Sequence, residues 1–423
     1  MKQFVFYTTL IMLYVTGVSA AGQGSHAIPL PGFPETTIER TDLGTKSGLH
    51  HPADVNTDFR MTISEAIACL AAWQQGTGAM DYAIRAAYLW QHGEHYFHDY
   101  GQLPPLCWVP PGRRIQGMSC ATWTSGACQE GESDQALQEL VALGVSDIAV
   151  VPTWYQASLN STEIYARPDS TITDEDVRHI VQYAHGLGLR VLLKPHLDPE
   201  QGGWRGLIEC YNENDWQAWL QSYRNMVNHY AVIAEELGVE LFCVGTELKK
   251  TSHRATDWRA IIDEVTEHFT GNITYGANWD ELFNITWWDA LDYIGVDAYY
   301  PLTNGYSPTV EELKAGWSGP FVALRDFSAQ FGLPILFTEI GYCSYDGTNT
   351  QPYTWEMENA VVDLQEQADC YRAAYEVFWN EPWFAGLYWW NWDPNMSHGG
   401  PYDLHYSPRN KPAAAIIAEF YLP

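Results

Sequence analysis

Eight short apolar runs that alternate with helical segments set the strongest constraint on the fold of this chain. The runs are Ile115–Cys120, Ile148–Thr153, Val191–His196, Leu241–Glu247, Ile273–Asn278, Tyr293–Tyr299, Ile335–Glu339 and Ala385–Trp390. Their apolar residues are nearly continuous, as in parallel strands that are buried on both faces. Segments with helical spacing of apolar residues, such as the one from Trp258 to Phe269, separate most of them. The pattern predicts an α/β fold, a (β/α)₈ TIM barrel, over residues 112–423.

An open, doubly wound parallel sheet is the structural alternative to a closed barrel. Such a sheet usually carries a glycine-rich phosphate loop after its first strand. The sequence contains neither GxGxxG nor GxxxxGK[ST]. The missing loop favours the barrel.

The charge of the chain excludes several classes of partner. The net charge of −30 opposes binding to nucleic acid and to anionic membrane surfaces, whereas a neutral oligo- or polysaccharide is indifferent to it. The 19 Trp and 26 Tyr residues supply a large aromatic core, and some of their rings could stack on sugar faces.

The N-terminal third of the chain divides into three predicted segments. Residues 1–20 have the features of a secretory signal peptide: Lys2, an apolar run from Phe4 to Val18, and small residues before the cleavage point. A linker is predicted over 21–50 and a small helical module over 51–111. We therefore expect a secreted protein, extracellular or periplasmic, that leaves the membrane after cleavage.

The eight cysteines, at positions 69, 107, 120, 128, 210, 243, 343 and 370, would remain in the mature chain. Their even number permits disulfides in an exported protein, but the sequence does not define a pairing. No CxxC or Cys/His spacing typical of a zinc site is present.

The N-terminal module contains a candidate calcium loop that extends from Asp54 to Glu65. It matches most of a 12-residue EF-hand loop and is similar to half of a dockerin. The predicted calcium ligands are Asp54, Asn56, Asp58, Arg60 and Glu65. Phe59 replaces the usual glycine at position 6, and an acidic helix N-terminus without an ion is the alternative interpretation. Only one loop is found, so docking through a dockerin pair is not expected.

Two glutamates end the fourth and seventh predicted strands. Glu247 follows Thr246, and Glu339 follows Thr338. Active sites of TIM barrels lie at the C-terminal ends of the strands, where these two side chains can converge. Retaining glycosidases need two carboxyl groups about 5–5.5 Å apart, one as acid/base and one as nucleophile. A single strand-end glutamate could equally cap a helix or pair with a cation, but the pair favours catalysis.

Short motifs at the strand ends extend this interpretation to a family. The motifs are Ala121-Thr122-Trp123-Thr124, Thr153-Trp154-Tyr155-Gln156, Lys194-Pro195-His196-Leu197-Asp198-Pro199, Val244-Gly245-Thr246-Glu247-Leu248, Tyr275-Gly276-Ala277-Asn278-Trp279-Asp280, Ile294-Gly295-Val296-Asp297-Ala298-Tyr299, Thr338-Glu339-Ile340-Gly341-Tyr342 and Trp389-Trp390-Asn391-Trp392. With these motifs in this order, the chain resembles clan A of the glycoside hydrolases and, within it, family 113, the endo-β-1,4-mannanases, over residues 113–405.

The resemblance implies a role for each matching residue. Glu247 would be the acid/base and Glu339 the nucleophile, with Tyr299 hydrogen-bonded to Glu339. Thr246 stands where many clan members have asparagine, so Asn278 or His196 would contact the sugar 2-hydroxyl. The full predicted substrate-binding set is Trp154, Lys194, His196, Asn278, Trp279, Asp297, Tyr299, Trp389 and Trp390.

Purely structural roles are alternatives for several members of that set. Lys194 could form a structural ion pair with Asp198 or Asp297, and Asp297 could satisfy backbone groups at the barrel rim. Trp154 and Trp279 could be packing residues.

The expected function is a secreted retaining β-mannanase that needs no cofactor for catalysis, with a possible structural Ca²⁺ in the N-terminal module. A retaining hydrolase of another β-glycan, glucan or xylan, is the first alternative. A non-catalytic carbohydrate-binding barrel is the second.

Overall fold

The computed structural model describes residues 50–57, 60–91, 96–98, 103–109, 113–129, 131–354 and 359–422. The predicted signal peptide (1–20) and all but the last residue of the predicted linker (21–50) lie outside the described residues. In the described part of the chain, no helix is both long enough and apolar enough to cross a bilayer.

Two helices, α1 (Ile63–Gln74) and α2 (Met80–Gln91), and two short antiparallel strands, β1 (Phe97–His98) and β2 (Trp108–Val109), lie within the predicted N-terminal module. Thr62 caps α1 through a capping box with Glu65. These elements share a hydrophobic cluster of their own. Its buried members are Met61, Ala66, Ala86, Leu89, Tyr96, Cys107 and Trp108.

A closed barrel of eight parallel strands follows, which confirms the predicted (β/α)₈ fold. The strands are β3 (Ile115–Cys120), β4 (Asp147–Val150), β6 (Arg190–Leu193), β8 (Leu241–Thr246), β9 (Asn272–Asn278), β10 (Tyr293–Asp297), β11 (Ile335–Ile340) and β12 (Phe384–Trp389). Each strand pairs in parallel with its neighbour, and β12 pairs with β3 to close the ring. All eight correspond to the predicted apolar runs.

The second and third predicted runs are longer than the barrel strands they produce. Pro152 and Pro195 interrupt them, because proline has no N–H to donate to a ladder. Beyond each proline the chain forms a second strand, β5 (Thr153–Gln156) and β7 (His196–Pro199). These two pair in parallel as a separate sheet that continues the C-terminal end of the barrel.

The barrel helices are α3 (Glu132–Ala142), α4 (Asp174–Gly186), α5 (Glu213–Leu237), α6 (Ala255–His268), α7 (Val310–Phe331), α8 (Leu364–Phe378) and α9 (Pro412–Tyr421). Two 3₁₀ turns, Leu282–Asn284 and Trp288–Ala290, replace a helix between β9 and β10. The main hydrophobic cluster includes buried residues of these helices and of the barrel strands.

A smaller cluster fills the interior near the N-terminal ends of the strands. Its buried members are Ile115, Ala149, Leu192, Leu241, Cys243, Leu336 and Tyr388. Side chains alternate along a strand, so the next inward position of each strand lies two residues further toward the C-terminal end. This cluster forms the apolar floor of the barrel, and the side chains two residues further along the strands face the interior above that floor.

Candidate active site

A buried polar layer lies above the apolar floor. Lys194 and Thr338 follow the floor residues Leu192 and Leu336 by two positions, so strand alternation directs them into the interior. Lys194 Nζ donates a hydrogen bond to Asp297 Oδ1 over 3.0 Å, and Thr338 Oγ1 donates to the same oxygen over 2.7 Å. Lys194 and Asp297 were predicted to contact the substrate. Neither side chain is exposed in this structure, so direct contact with a substrate does not fit it.

Glu339 lies on this layer and gathers three polar partners. Lys194 Nζ donates to its Oε1 over 2.5 Å, and the Tyr299 hydroxyl donates to its Oε2 over 2.8 Å. His196 Nε2 lies 3.3 Å from Oε1. Burial alone would raise the pKa of Glu339, but Lys194 and His196 outweigh it and hold that pKa well below its usual range. Glu339 is therefore a carboxylate at neutral pH.

The two carboxyl groups that share Lys194 differ in proton affinity. Burial, and then the charge of Glu339, raise the pKa of Asp297 to about 8, while Lys194 opposes the rise. Asp297 Oδ2 has no hydrogen-bond partner, which fits a carboxyl group that holds a proton readily. Burial alone would lower the pKa of Lys194, but Asp297 and Glu339 outweigh it and raise that pKa, so Lys194 remains an ammonium group. The negative charge in this layer is thereby concentrated on Glu339.

Glu247 leaves its strand in a different way. It is the first residue after β8, with φ of 52°, and its N–H donates to Gly276 O over 2.8 Å. A non-glycine residue in this region of φ is uncommon and marks positions that the surrounding structure holds. The Trp204 indole N–H donates to Glu247 Oε2 over 2.9 Å.

The pKa of Glu247 is raised to about 7, mainly by burial. The charge of Glu339 adds to this rise, and the Arg205 guanidinium opposes it. Glu247 and Glu339 therefore act on each other electrostatically. The pKa of Glu247 is raised above its usual value, and the pKa of Glu339 is lowered below it. One carboxyl that holds its proton beside another that is ionised is the arrangement that distinct acid and nucleophile roles require.

Trp204 and Arg205 were not among the predicted site residues. Both lie beyond β7, and Arg205 Nη2 pairs with Asp198 Oδ1 over 2.8 Å. The sequence does contain a signal, because Gly202-Gly203-Trp204-Arg205 follows the third strand at the catalytic end of a TIM barrel.

The two adjacent tryptophans at the end of β12 have different environments. Trp389 is fully buried, stacks on Tyr371 with ring centroids 3.6 Å apart, and donates its N–H to the Tyr375 hydroxyl. A substrate-binding role for Trp389 does not fit this environment. Trp390 is half-buried and parallel to the His196 ring, with centroids 5.9 Å apart. Trp390 is thus the tryptophan of the pair that lies beside the candidate site.

Asn278 and Trp279 lie at the end of β9. Asn278 Nδ2 donates to Asp280 Oδ1 over 2.6 Å. Trp279 is half-buried, packs against a small cluster that contains Tyr299, and lies parallel to Tyr353 with ring centroids 6.4 Å apart. Trp279 therefore lies beside the cluster whose Tyr299 donates to Glu339.

Trp154 lies elsewhere. Its N–H donates to the Tyr230 hydroxyl over 2.9 Å, and its ring lines a cavity with Arg167 and Asp174. Neither catalytic candidate lines that cavity. A packing role for Trp154 fits these contacts better than the predicted role in substrate binding.

The predicted calcium ligands are engaged with protein partners where the structure describes them. The Glu65 carboxylate accepts hydrogen bonds from the N–H groups of Thr62 and Val55. Asp54 accepts one from the Tyr96 hydroxyl over 2.5 Å. Asn56 and Arg60 lie on either side of Asp58, which is outside the described residues. The structure therefore gives no support to a calcium loop at these positions.

Comparison with known proteins places this geometry in a family. The family model of glycoside hydrolase family 113 matches residues 120–407, a segment that contains both Glu247 and Glu339. The chain belongs to glycoside hydrolase family 113. It is a glycoside hydrolase on a (β/α)₈ barrel. No curated protein sequence matches the chain.

Solved structures agree with the family. A family 113 β-1,4-mannanase in a complex is 27% identical, with a TM-score of 0.68, over 73% of this chain and 99% of its own. The family 113 β-mannanase of Alicyclobacillus acidocaldarius, in complex with ManMIm, is 28% identical, with a TM-score of 0.67, over 73% and 97%. A family 5 mannosidase from Rhizomucor miehei, 9% identical with a TM-score of 0.50 over 74% and 94%, shares only the fold.

Proposed function

We propose that this family 113 enzyme hydrolyses β-mannosidic linkages with retention of configuration, with Glu339 as nucleophile and Glu247 as acid/base. The main support for this proposal is that the pKa values of these two interacting carboxyl groups shift in opposite directions. Glu339 is held ionised beside Lys194, and Glu247 keeps a proton up to about pH 7. A double displacement needs this pair of protonation states at its start.

In the first step, a Glu339 oxygen attacks the anomeric carbon while Glu247 transfers its proton to the glycosidic oxygen. The carbon–oxygen bond to the leaving sugar breaks, and that sugar departs as an alcohol. The product is a glycosyl ester of Glu339 together with ionised Glu247. Tyr299 and Lys194 each hold one Glu339 oxygen and fix the orientation of the carboxylate before attack.

In the second step, Glu247 acts as a base. Esterification removes the negative charge of Glu339, which had raised the pKa of Glu247. The pKa of Glu247 therefore falls, and the group becomes the carboxylate that accepts a proton from water. The water oxygen attacks the anomeric carbon, Glu339 departs as a carboxylate, and Glu247 regains its starting proton.

Mannan is the proposed substrate because the structural neighbours of about 27–28% identity are family 113 β-mannanases. The aromatic rings around the two carboxyl groups suit sugar faces. Trp390 lies beside His196, and Trp279 lies beside Tyr353, which is 44% exposed. An oligosaccharide is therefore the expected ligand, and internal cleavage of β-1,4-mannan is the proposed reaction.

Azide rescue of two alanine variants tests the assignment of roles. With manno-oligosaccharides carrying a good leaving group, we expect Glu247→Ala plus azide to form the β-glycosyl azide, through attack on the glycosyl ester. We expect Glu339→Ala plus azide to form the α-glycosyl azide, because azide then replaces the nucleophile. NMR of the products distinguishes the two anomers.

Glu240→Gln is the matched control for these variants. Glu240 precedes β8, whereas Glu247 follows it, so the two carboxyl groups lie at opposite ends of one strand. Glu240→Gln should remain active without azide. The assignment is wrong if either alanine variant keeps near-wild-type activity, or if the two azide products have the same configuration. A screen on mannan, glucomannan, cellulose and xylan tests the substrate class separately.

Export and calcium binding remain proposals. The predicted export signal, residues 1–20, lies outside the residues that the structure describes. Determining the N-terminal sequence of the mature protein would test whether this segment is cleaved. For calcium, thermal unfolding of the enzyme with and without Ca²⁺ is the measurement. Equal stability in both conditions would rule out a structural ion at Asp54–Glu65.

A further inference from the structure

Two histidines and an aspartate come together on the segment that follows β12, outside the machinery described above. His398, Asp403 and His405 each offer one ligand atom, and these three atoms lie within 4.8 Å of one another. The His398 and His405 ring centroids are 4.4 Å apart, with the rings tilted by 49°. His398 is half-buried and His405 exposed, so the cluster is open to solvent on one side.

The separation between two of the ligand atoms fits metal coordination better than hydrogen bonding. His398 Nδ1 lies 3.4 Å from Asp403 Oδ2. An N–H···O hydrogen bond is normally 2.7–3.2 Å long. In a tetrahedral zinc site with bonds of about 2.0–2.1 Å, neighbouring ligand atoms are about 3.3 Å apart. The His398–Asp403 pair therefore matches one edge of such a tetrahedron.

The other nitrogen of His398 faces a second carboxylate, at a distance longer than a hydrogen bond. His398 Nε2 lies 3.8 Å from Asp393 Oδ2. A histidine that binds metal through one nitrogen commonly directs the other N–H to a carboxylate, which fixes the ring and its tautomer. Asp393 is itself held by Ser397, whose hydroxyl donates to Oδ2 over 2.5 Å. Asp393 lies outside the three-atom cluster, and its negative charge beside His398 favours a cation at that ring.

Asp403 is fixed in an orientation that leaves one oxygen for a metal. Its Oδ1 accepts hydrogen bonds from Lys411 Nζ over 2.7 Å and from the backbone N–H of His405 over 3.0 Å. Its Oδ2 faces His398. Lys411 is buried and also donates to Ser344 Oγ, so this support is anchored in the barrel. The carboxylate is therefore oriented without the metal.

We infer that His398, Asp403 and His405 form a binding site for a divalent transition-metal ion, with Zn²⁺ as the expected occupant. Two imidazoles and one carboxylate are a ligand set that suits Zn²⁺, and the exposed side leaves the fourth position to water. The ion would connect His398 to His405, whose neighbour Tyr406 contacts the Tyr299 ring with centroids 6.2 Å apart. Its effect would be to stabilise this segment, and the proposed chemistry does not pass through it.

Zinc titration of the chelator-treated, full-length enzyme tests this inference. Calorimetry should show one Zn²⁺ per chain, and His398→Ala and His405→Ala should each weaken binding by at least about 100-fold. Asp393→Asn removes only the neighbouring negative charge and should weaken binding by a smaller factor than either histidine variant. His229→Ala is the matched control, because His229 pairs with Asp174 and is 38% exposed, against 39% for His398. It should bind Zn²⁺ as the wild type does.

A measurement on the wild type alone keeps the inference falsifiable if a variant fails to fold. Co²⁺ bound at this site should give the strong visible absorption of four-coordinate cobalt, and Zn²⁺ should abolish it. The inference is overturned if the wild type binds no Zn²⁺, if Co²⁺ gives only the weak absorption of a six-coordinate ion, or if folded His398→Ala and His405→Ala bind Zn²⁺ undiminished. It is equally overturned if His229→Ala loses the binding.

Discussion

Trp204→Phe should extend the activity of the enzyme to higher pH. The substitution keeps an aromatic ring and removes the indole N–H that donates to Glu247 Oε2 over 2.9 Å. That hydrogen bond favours the ionised form of Glu247, so its loss raises the pKa of the acid. Glu247 must hold a proton at the start of the reaction. A higher pKa therefore moves the basic limb of kcat/KM to higher pH.

The size of the shift follows from the strength of one charged hydrogen bond. Such a bond contributes about 1.5–3 kcal/mol, and about 1.4 kcal/mol corresponds to a tenfold change in a proton equilibrium. Complete loss would raise the pKa by about 1 to 2. Glu247 is half-buried, so water replaces part of the lost bond, and we expect a rise of about 0.5 to 1. The basic limb should move from about 7 to roughly 7.5–8.

The assay is the pH dependence of kcat/KM on a manno-oligosaccharide under first-order conditions, which reports the free enzyme. Trp154→Phe is the control, because its indole N–H donates to Tyr230 and not to a catalytic candidate. Its basic limb should coincide with that of the wild type. A basic limb for Trp204→Phe that stays in place or moves to lower pH would refute the reasoning.

Three further substitutions test residues that surround or support the two glutamates. Lys194→Met should move the acidic limb of kcat/KM to higher pH, because the ammonium group favours ionised Glu339, and it should lower the free energy of unfolding by about 3–5 kcal/mol in denaturant titrations. Tyr299→Phe removes one charged hydrogen bond and should lower kcat/KM by about 10- to 100-fold, with little change in unfolding temperature. Trp389→Ala should lower the free energy of unfolding by about 3–5 kcal/mol, measured in denaturant, because it empties a fully buried position. Wild-type pH limbs, wild-type kcat/KM and wild-type stability, respectively, would contradict these expectations.

The barrel was predictable from sequence because its signal is repeated. Strands buried on both faces need nearly continuous apolar residues, and that requirement recurs eight times along the chain. The exact lengths were less predictable. Pro152 and Pro195 stand inside apolar runs, and the sequence alone does not show that each proline ends a barrel strand and begins a strand of another sheet.

Site residues were predictable where a strand end fixes them. Glu247, Glu339 and Tyr299 follow from strand ends and motifs, and the structure brings Tyr299 within hydrogen-bond distance of Glu339. Trp204 was missed because the length and path of a loop determine its position, and neither has a periodicity. Trp389 and Trp390 are consecutive and chemically identical, and their different partners in the fold, Tyr371 for Trp389 and His196 for Trp390, distinguish them.

The difference between the two glutamates arises in the backbone and not in their local sequence. Each follows a threonine at a strand end, in Thr246-Glu247 and Thr338-Glu339, so the pairs are identical as dipeptides. Glu339 remains within β11 and meets the ammonium group of the interior layer, whereas Glu247 turns out of β8 at positive φ and meets an indole from a loop. Their pKa values then move in opposite directions because Lys194 and His196 outweigh the burial of Glu339, whereas Arg205 and Trp204 do not outweigh the burial of Glu247 and the charge of Glu339. Without Lys194, the barrel would keep both glutamates but lose the strongest interaction that holds Glu339 ionised, and the proposed chemistry requires one ionised and one protonated glutamate.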